Sequence, residues 1–356
     1  MKYANAHYDP NRRHHTPVGF RNPDRHPPPH SYWQWRRERR AAGLPYEPPG
    51  GWHFPLDRPD VRYLAENRRD TTLTWIGHAT VLLQVAGINI LTDPHLTERA
   101  SPLALAGPKR RMPPAIALAD LPHIDVVLIS HNHYDHLDAA SVRALARQPG
   151  GPPRFYVPLG VRTFFDARRI PVAAEMDWWE CARGDGVDVH FVPAQHWSAR
   201  TLRDRNRTLW GGFVVEAGGF RFIYTGDTGY SKDFADIGTR FGGFDLAVIP
   251  IGAYAPRWFM ATHHVDPSEA VKIHRDLGAR RSLGVHWGTF VLTDEPLDEP
   301  PRKLAEALAA ANVSSDAFWV FRHGEMRVLS EHPAARPKSR IPSPADRQRD
   351  RAQTPP

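Results

Sequence analysis

A run of aliphatic residues that ends in a knot of histidines constrains this chain more than any other stretch. Asp125-Val126-Val127-Leu128-Ile129 passes directly into Ser130-His131-Asn132-His133-Tyr134-Asp135-His136-Leu137-Asp138. A short β-branched run bounded by polar residues suits a strand covered on both faces. Four potential metal ligands, His131, His133, Asp135 and His136, then fall on the loop at its C-terminal end. Open α/β sheets place their chemistry at that end of a strand. Imidazoles two residues apart followed by Asp-His repel one another when protonated and gain little unless a cation holds them.

This HxHxDH segment resembles the signature of the metallo-β-lactamase superfamily. The resemblance implies three further ligands, each closing an apolar strand. Val187 to Val192 leads into Pro193-Ala194-Gln195-His196-Trp197, Phe220 to Ile223 into Tyr224-Thr225-Gly226-Asp227-Thr228-Gly229, and Ser282-Leu283-Gly284 into Val285-His286-Trp287. His196, Asp227 and His286 complete the pattern, in order.

The rest of the chain fits a single catalytic domain with two flanking segments. At 356 residues and 41% hydrophobic it can bury a substantial core. Cys181 is the lone cysteine, which excludes an internal disulfide and leaves nitrogen and oxygen to hold any zinc. The first residues lack a signal-peptide core, and no apolar run reaches the ~20 residues of a membrane span, so a cytoplasmic protein is expected. The net charge of +7 favours anionic partners without choosing among them. Much of the excess sits in Arg36-Arg37-Glu38-Arg39-Arg40 and in the Pro/Arg/Lys-rich tail from Pro333 to Pro356. Residues 1–70 read as a Pro/Arg/aromatic-rich, partly mobile segment, 71–330 as the catalytic domain, and 331–356 as a disordered basic tail.

From Thr72 the pattern becomes regular. Leu73–Ile76, Val81–Val85 and Ile88–Thr92 read as an antiparallel meander with turns at Gly77-His78 and Ala86-Gly87. His78 in the first turn either bonds backbone or serves the site. Asp93, ending the third strand, stands where it can brace a ligating imidazole. Asp138 caps a helix running to Ala146, Arg154–Pro158 is a strand, and residues 160–169 form a helix. The second half repeats the style, with strands at 187–193, 209–217, 220–225, 245–250 and 281–286 and helices near 233–241 and 267–278. Two strand-rich blocks with helices predict an α/β fold, an αββα sandwich of two mixed β-sheets flanked by helices, with the site where both halves deliver loops to one edge.

A narrower resemblance rests on Trp75-Ile76-Gly77-His78-Ala79-Thr80, Thr92-Asp93-Pro94, Gly107-Pro108-Lys109-Arg110, Val157-Pro158-Leu159-Gly160, Asp177-Trp178-Trp179-Glu180, Gln195-His196-Trp197, Gly226-Asp227-Thr228-Gly229-Tyr230, Pro250-Ile251-Gly252-Ala253-Tyr254, Pro256-Arg257-Trp258-Phe259-Met260, His264-Val265-Asp266-Pro267 and His286-Trp287-Gly288-Thr289-Phe290. These closely resemble the N-acyl-phosphatidylethanolamine-hydrolysing phospholipase D family from about Leu73 to Gly324, and Phe20-Arg21-Asn22-Pro23 resembles its leader. His263 departs from that pattern, which commonly has an amide there.

The resemblance implies two Zn²⁺ ions. His131, His133 and His196 would hold one, Asp135, His136 and His286 the other, with Asp227 bridging. It implies a zinc-dependent phosphodiesterase that attacks N-acyl-phosphatidylethanolamine through a metal-bound hydroxide and releases N-acylethanolamine and phosphatidic acid. Asp135, Asp227 and His264 are the expected catalytic residues, and Tyr254, Arg257, Trp258 and His264 the expected substrate contacts. A phospholipid substrate implies peripheral contact with the inner face of a membrane, through segments such as Trp33 to Arg40 and the Trp258 loop. Nucleic acid is not expected, because no separate basic insertion is present; a homodimer remains open. The competing reading is a lactonase or phosphodiesterase of the same fold acting on a soluble substrate.

Overall fold

The computed structural model describes residues 4–23, 31–103 and 105–329. The expected basic tail lies outside them, as do residues 1–3 and 24–30. In chain order the first elements are β1 (His15–Thr16), β2 (Gly19–Phe20), α1 (Tyr32–Ala41) and α2 (Val61–Glu66). Next come β3 (Thr72–Gly77), β4 (Thr80–Val85), β5 (Ile88–Thr92), β6 (Val126–Leu128), α3 (Ala139–Leu145), β7 (Arg154–Pro158), α4 (Arg162–Asp166) and β8 (Ala174–Met176). The second half supplies β9 (Glu180–Gly184), β10 (Val187–Val192), β11 (Gly212–Ala217), β12 (Phe220–Tyr224), α5 (Asp233–Phe241), β13 (Phe244–Pro250), α6 (Arg257–Met260), α7 (Pro267–Asp276), β14 (Ala279–Val285), α8 (Glu299–Ala310), β15 (Phe318–Trp319) and β16 (Met326–Val328).

Two seven-stranded mixed sheets result, ordered β16-β3-β4-β5-β6-β7-β8 and β15-β14-β13-β12-β11-β10-β9. This is the sandwich the sequence predicts. Alternation along the strands shows why the runs are continuously apolar. Val126 and Leu128 join the large cluster with Phe191, Phe213 and Phe222, while Val127 and Ile129 join the one formed with Val142, Leu145 and Phe165. A strand with helices on one side and a second sheet on the other has no face for polar residues, and each buried Val or Leu contributes roughly 1.5–3 kcal/mol.

Strand direction gathers the site. β5 to β8 run parallel to one another, as do β12 to β15. β3 and β10 are each two antiparallel steps from β5 and β12 and so point the same way as those strands. The ends of β3, β5, β6, β10, β12, β13 and β14 therefore carry His78, Asp93, the metal loop, His196, Asp227, His264 and His286 to one edge of their sheets. Local chemistry fixes the helices that follow. The Asp138 carboxylate accepts from Ala140 N and Ser141 N at the start of α3, and Asp266 with Glu269 forms a capping box on α7 with Pro267 inside its first turn.

The sequence places residues 1–70 in a partly mobile segment, whereas the structure docks residues 4–23 onto the domain. His14 and His15 are buried and meet Asp177 through their Nε2 atoms at 2.6 and 3.1 Å. Further along, Asn22 Nδ2 donates to the carbonyl of the ligand His196 at 3.0 Å, and Trp210 Nε1 donates to Asn22 Oδ1 at 3.1 Å. Helix α1 is also absent from the sequence reading, because Trp35 is its one buried residue and its remaining surface carries no apolar stripe. The predicted helix over 160–169 shortens to α4. Helix α8 has no counterpart in the sequence reading, although its early prolines, Pro300 and Pro301, follow a helix-start pattern.

Candidate metal centre

Seven donors implied by the sequence meet at the edge where the loops converge, in two groups. His131 Nε2 lies 2.8 Å from His133 Nδ1, which lies 3.3 Å from His196 Nε2. In the second group His286 Nε2 lies 3.2 Å from His136 Nε2, and Asp135 Oδ2 is 3.4 Å from each of those nitrogens. Asp227 Oδ2 stands between the groups, 3.0 Å from His136 Nε2, 3.1 Å from His286 Nε2 and 3.9 Å from His196 Nε2. Tetrahedral ligands ~2.0–2.1 Å from one ion have donor atoms about 3.3 Å apart, so these spacings fit a small divalent cation in each group. Imidazole lone pairs facing one another at such distances otherwise repel.

The surroundings fix which nitrogen faces inward in three of the rings. His131 Nδ1 meets Ser130 Oγ at 2.9 Å, His136 Nδ1 meets Asp93 Oδ2 at 2.7 Å, and His196 Nδ1 meets the His263 carbonyl at 2.9 Å. Each Nε2 is thereby turned toward the centre, the support that metal-ligating histidines usually receive. Burial holds the pKa of His131 and His196 well below the ordinary value and that of His133 at about 4, which leaves neutral lone pairs. His286 differs. Burial opposes its charged form too, but Asp227 and Asp135 outweigh it and push the pKa up to about 9.

Backbone strain clusters at the same place. His78, Asp93 and His286 have φ of +53°, +29° and +65°. Non-glycine residues are costly there, and such positions concentrate at functional sites. Gly226, just before Asp227, has φ +62°, and a Cβ on it would fall 2.7 Å from the Gly211 carbonyl oxygen. The same Cβ would fall 2.8 Å from Ser130 Cβ at the start of the metal loop, so only glycine lets the backbone before Asp227 pass this close to the first sheet.

His78 joins the second group. Its Nε2 lies 3.0 Å from Asp135 Oδ2, and its carbonyl accepts from His286 N at 3.0 Å. Of the two readings of this turn histidine, service to the site is the one the structure displays. The resemblance does not place it among the ligands; its position at the end of β3 is the signal that raises it.

A cavity of about 780 Å³ opens onto the donors, lined by His133, Asp135, Asp227 and His264 on one side and by Tyr32, Trp35, Phe259, Met260 and Leu292 on another. Helix α1 borders it, held by a Trp35–Phe259 ring stack at 5.1 Å and by bonds to Asp294 from Trp35 Nε1 at 2.7 Å and Arg39 Nε at 3.0 Å. His264 lies where the sequence expects it, in the lining and 4.0 Å from Asp227 Oδ2 through Nδ1.

Three expected substrate contacts need correction. Tyr254 is buried and its hydroxyl donates to Glu299 at 2.6 Å, away from the lining. Arg257 donates to Glu269 at 2.7 Å and to the His264 carbonyl at 2.8 Å, so it braces the loop that carries His264. Trp258 is outside the lining and partly exposed, and Phe259 and Met260 are the residues of that motif that reach the cavity. Sequence gives the motif but not the direction of each side chain around the short turn of α6.

Comparison with known proteins agrees with this geometry. Residues 88–287 match the model of the β-lactamase superfamily domain. The chain is 42% identical over 258 residues to the N-acyl-phosphatidylethanolamine-hydrolyzing phospholipase D 1 of Caenorhabditis elegans, covering 69% of this chain and 72% of that protein. It is 38% identical over 238 residues to the mitochondrial N-acyl-phosphatidylethanolamine-hydrolyzing phospholipase D of Saccharomyces cerevisiae, covering 65% and 50%. Among solved structures, a metallo hydrolase from the archaeon Ignicoccus hospitalis superposes with a TM-score of 0.57 at 20% identity, over 74% of this chain and 100% of that one, which concerns the fold alone. With this donor set in this fold, the chain belongs to the β-lactamase superfamily and, within it, to the family of the N-acyl-phosphatidylethanolamine-hydrolysing phospholipases D.

Proposed function

We infer that the protein is a zinc-dependent phosphodiesterase of the phospholipase D type, which cleaves N-acyl-phosphatidylethanolamine into N-acylethanolamine and phosphatidic acid. The observation that carries this reading is a complete two-group donor set opening onto a largely apolar cavity, in a chain of this family. Imidazole and carboxylate donors without thiolate suit Zn²⁺. Two such ions would supply acidification of water and neutralisation of phosphoryl oxygens.

The chain's own residues supply the rest. Asp227 and Asp135 set the charge of the centre and the spacing of its halves. His264, held neutral by a pKa lowered to about 4 chiefly through burial, keeps an N–H available toward a phosphoryl oxygen. Tyr32, Trp35, Phe259, Met260 and Leu292 offer an apolar wall to acyl chains. Exposed Trp33, Leu103, Leu105, Leu202 and Trp258 all belong to segments that line or border the cavity, and Arg36, Arg37 and Arg40 are exposed on α1. These groups support docking of the cavity mouth on an anionic membrane surface. Among the described residues no helix is long and apolar enough to cross a membrane.

The test is turnover of N-acyl-phosphatidylethanolamine by metal-replete protein in isotope-labelled water. The label should enter phosphatidic acid. Its appearance in the released alcohol, or no turnover, overturns the reading. His264→Ala should slow the reaction about ten- to a hundredfold, the worth of one hydrogen bond to a charged group, with metal content unchanged. Loss of an ion from that variant would make His264 a ligand.

A further inference from the structure

The loop between Trp197 and Leu209 carries several arginines that differ in what they touch. Arg200 is spent on structure: Nη1 donates to the Asn132 and Leu137 carbonyls, both at 2.8 Å, and its guanidinium lies 3.9 Å from the centre of the Tyr134 ring. It ties the loop to the metal-binding segment. Arg205 lies among the cavity-lining residues, its guanidinium 4.2 Å from the centre of the Trp197 ring, and Trp197 packs edge-on against the ligand His133 with ring centres 4.4 Å apart. Among the described residues no carboxylate pairs with it. Desolvation alone lowers its pKa, with no acid to offset it.

The loop is built to hold that position. The Asp204 carboxylate accepts from Arg200 N and Thr201 N at 3.0 and 2.8 Å, and Asn206 N donates to the Ser198 carbonyl at 2.7 Å. From outside, Phe20 N in the docked leader donates to the Asn206 carbonyl at 2.7 Å. A guanidinium fixed on an aromatic face and lacking an anion has the makings of an anion contact. Its neighbours sharpen the point. The acids in the cavity lining are Asp135 and Asp227, both in the metal centre, so the lining offers no spare carboxylate to an ammonium group.

We propose that Arg205 is a specificity-determining residue, attracting the substrate phosphate and rejecting headgroups that carry an ammonium. The proposal rests on the phosphodiesterase reading and deepens it. N-acylation converts an amine into an uncharged amide, so an N-acylated headgroup meets no repulsion from Arg205, whereas a choline or free ethanolamine headgroup does. Selection against a competitor by a like charge is a common route to specificity.

Soluble headgroup analogues test this without turnover. Calorimetry of the metal-loaded protein should show sn-glycerol 3-phosphate binding about tenfold more tightly than phosphocholine, as expected for one like-charge contact in a partly solvated cavity. Arg205→Gln should weaken glycerol 3-phosphate and bring the two within about threefold. Arg205→Lys, which keeps the charge and loses the planar stack, should preserve most of the discrimination. An unchanged ratio in Arg205→Gln overturns the proposal and leaves Arg205 as a cover for Trp197. If the wild-type protein turns over no N-acyl-phosphatidylethanolamine yet Arg205→Gln collapses the ratio, the lipid reading fails and the role of Arg205 stands.

Discussion

Asp227→Ala should abolish turnover, by about 10³-fold or more, while the protein stays folded. Asp227 Oδ2 lies within 4.0 Å of nitrogens from His136, His196, His264 and His286, and it is the carboxylate set between the two donor groups. Its removal takes away the carboxylate that would bridge two ions held by these groups, and the negative charge that would lie between them. A loss of several kcal/mol in stabilising the reacting charge translates at about 1.4 kcal/mol per decade into that fall in rate. The fold should survive, because Asp227 sits in a loop after β12 and the core of that strand, Phe222 and Ile223, is untouched.

A second readout separates loss of the bridge from loss of the whole loop. In the metal-free chain His136 is held protonated well above the ordinary histidine range and His286 titrates at about 9, because Asp227 and Asp135 outweigh burial in both. The two carboxylates thus favour proton binding by this coupled pair in the metal-free chain, and metal binding must displace it. Metal uptake by the wild-type protein should therefore release protons at pH 7, measurable by calorimetry in buffers of different ionisation enthalpy. Without Asp227 both pKa values fall and fewer protons should be released. A variant that binds two ions, releases as many protons and keeps its rate would remove Asp227 from the centre.

The metal loop is legible because it closes a continuously apolar strand, which betrays itself by composition: in Val126–Ile129 both faces are buried and no polar residue interrupts the run. The strands before His196, Asp227 and His286 carry Asp188 and His190, Arg221, and Arg280 and Arg281, so those ligands follow only from the family resemblance. The cavity was much less legible. Its walls come from α1, α6, the 198–208 loop and Leu292, segments far apart in sequence and short or highly charged, whose side-chain directions follow from tertiary contacts such as Trp35 with Asp294. Arg257 illustrates the limit: its motif looks like a cation among aromatics, yet Glu269 in the α7 capping box claims it. Nothing in the spacing distinguishes it from Arg205, which has no such acid. The docked leader was hidden likewise, because its contacts to Asp177 and His196 lie more than 150 residues away in the chain.

Asp93→Ala should be the most damaging change outside the ligands, combining loss of metal with loss of stability. The Asp93 side chain is fully buried and touches no substrate-lining residue, but it gathers both sheets. Its Oδ1 accepts from Ser130 N at 2.7 Å, and its Oδ2 accepts from Ser130 Oγ and Tyr224 Oη, both at 2.5 Å, and meets His136 Nδ1 at 2.7 Å. Ser130 opens the metal loop of the first sheet and Tyr224 ends β12 of the second, so one carboxylate fixes how the two halves of the donor set face each other. Removing it leaves four polar groups buried without their acceptor, at roughly 1–3 kcal/mol for each that finds no substitute, and about 3–5 kcal/mol in total is expected because the site can relax. The freed His136 ring can rotate or change tautomer, and loss of such an orienting partner typically weakens metal binding 10- to 100-fold. The contrast with Asp93→Asn isolates the charge. Asparagine keeps the shape and can still accept from Ser130, but its amide presents donors to Tyr224 or His136, so metal affinity should fall while much of the stability is retained. Thermal denaturation with and without metal measures both quantities. If Asp93→Ala melts like the wild-type protein in its metal-free form, the carboxylate does not hold the sheets together; if its metal affinity is also unchanged, His136 is oriented by something else.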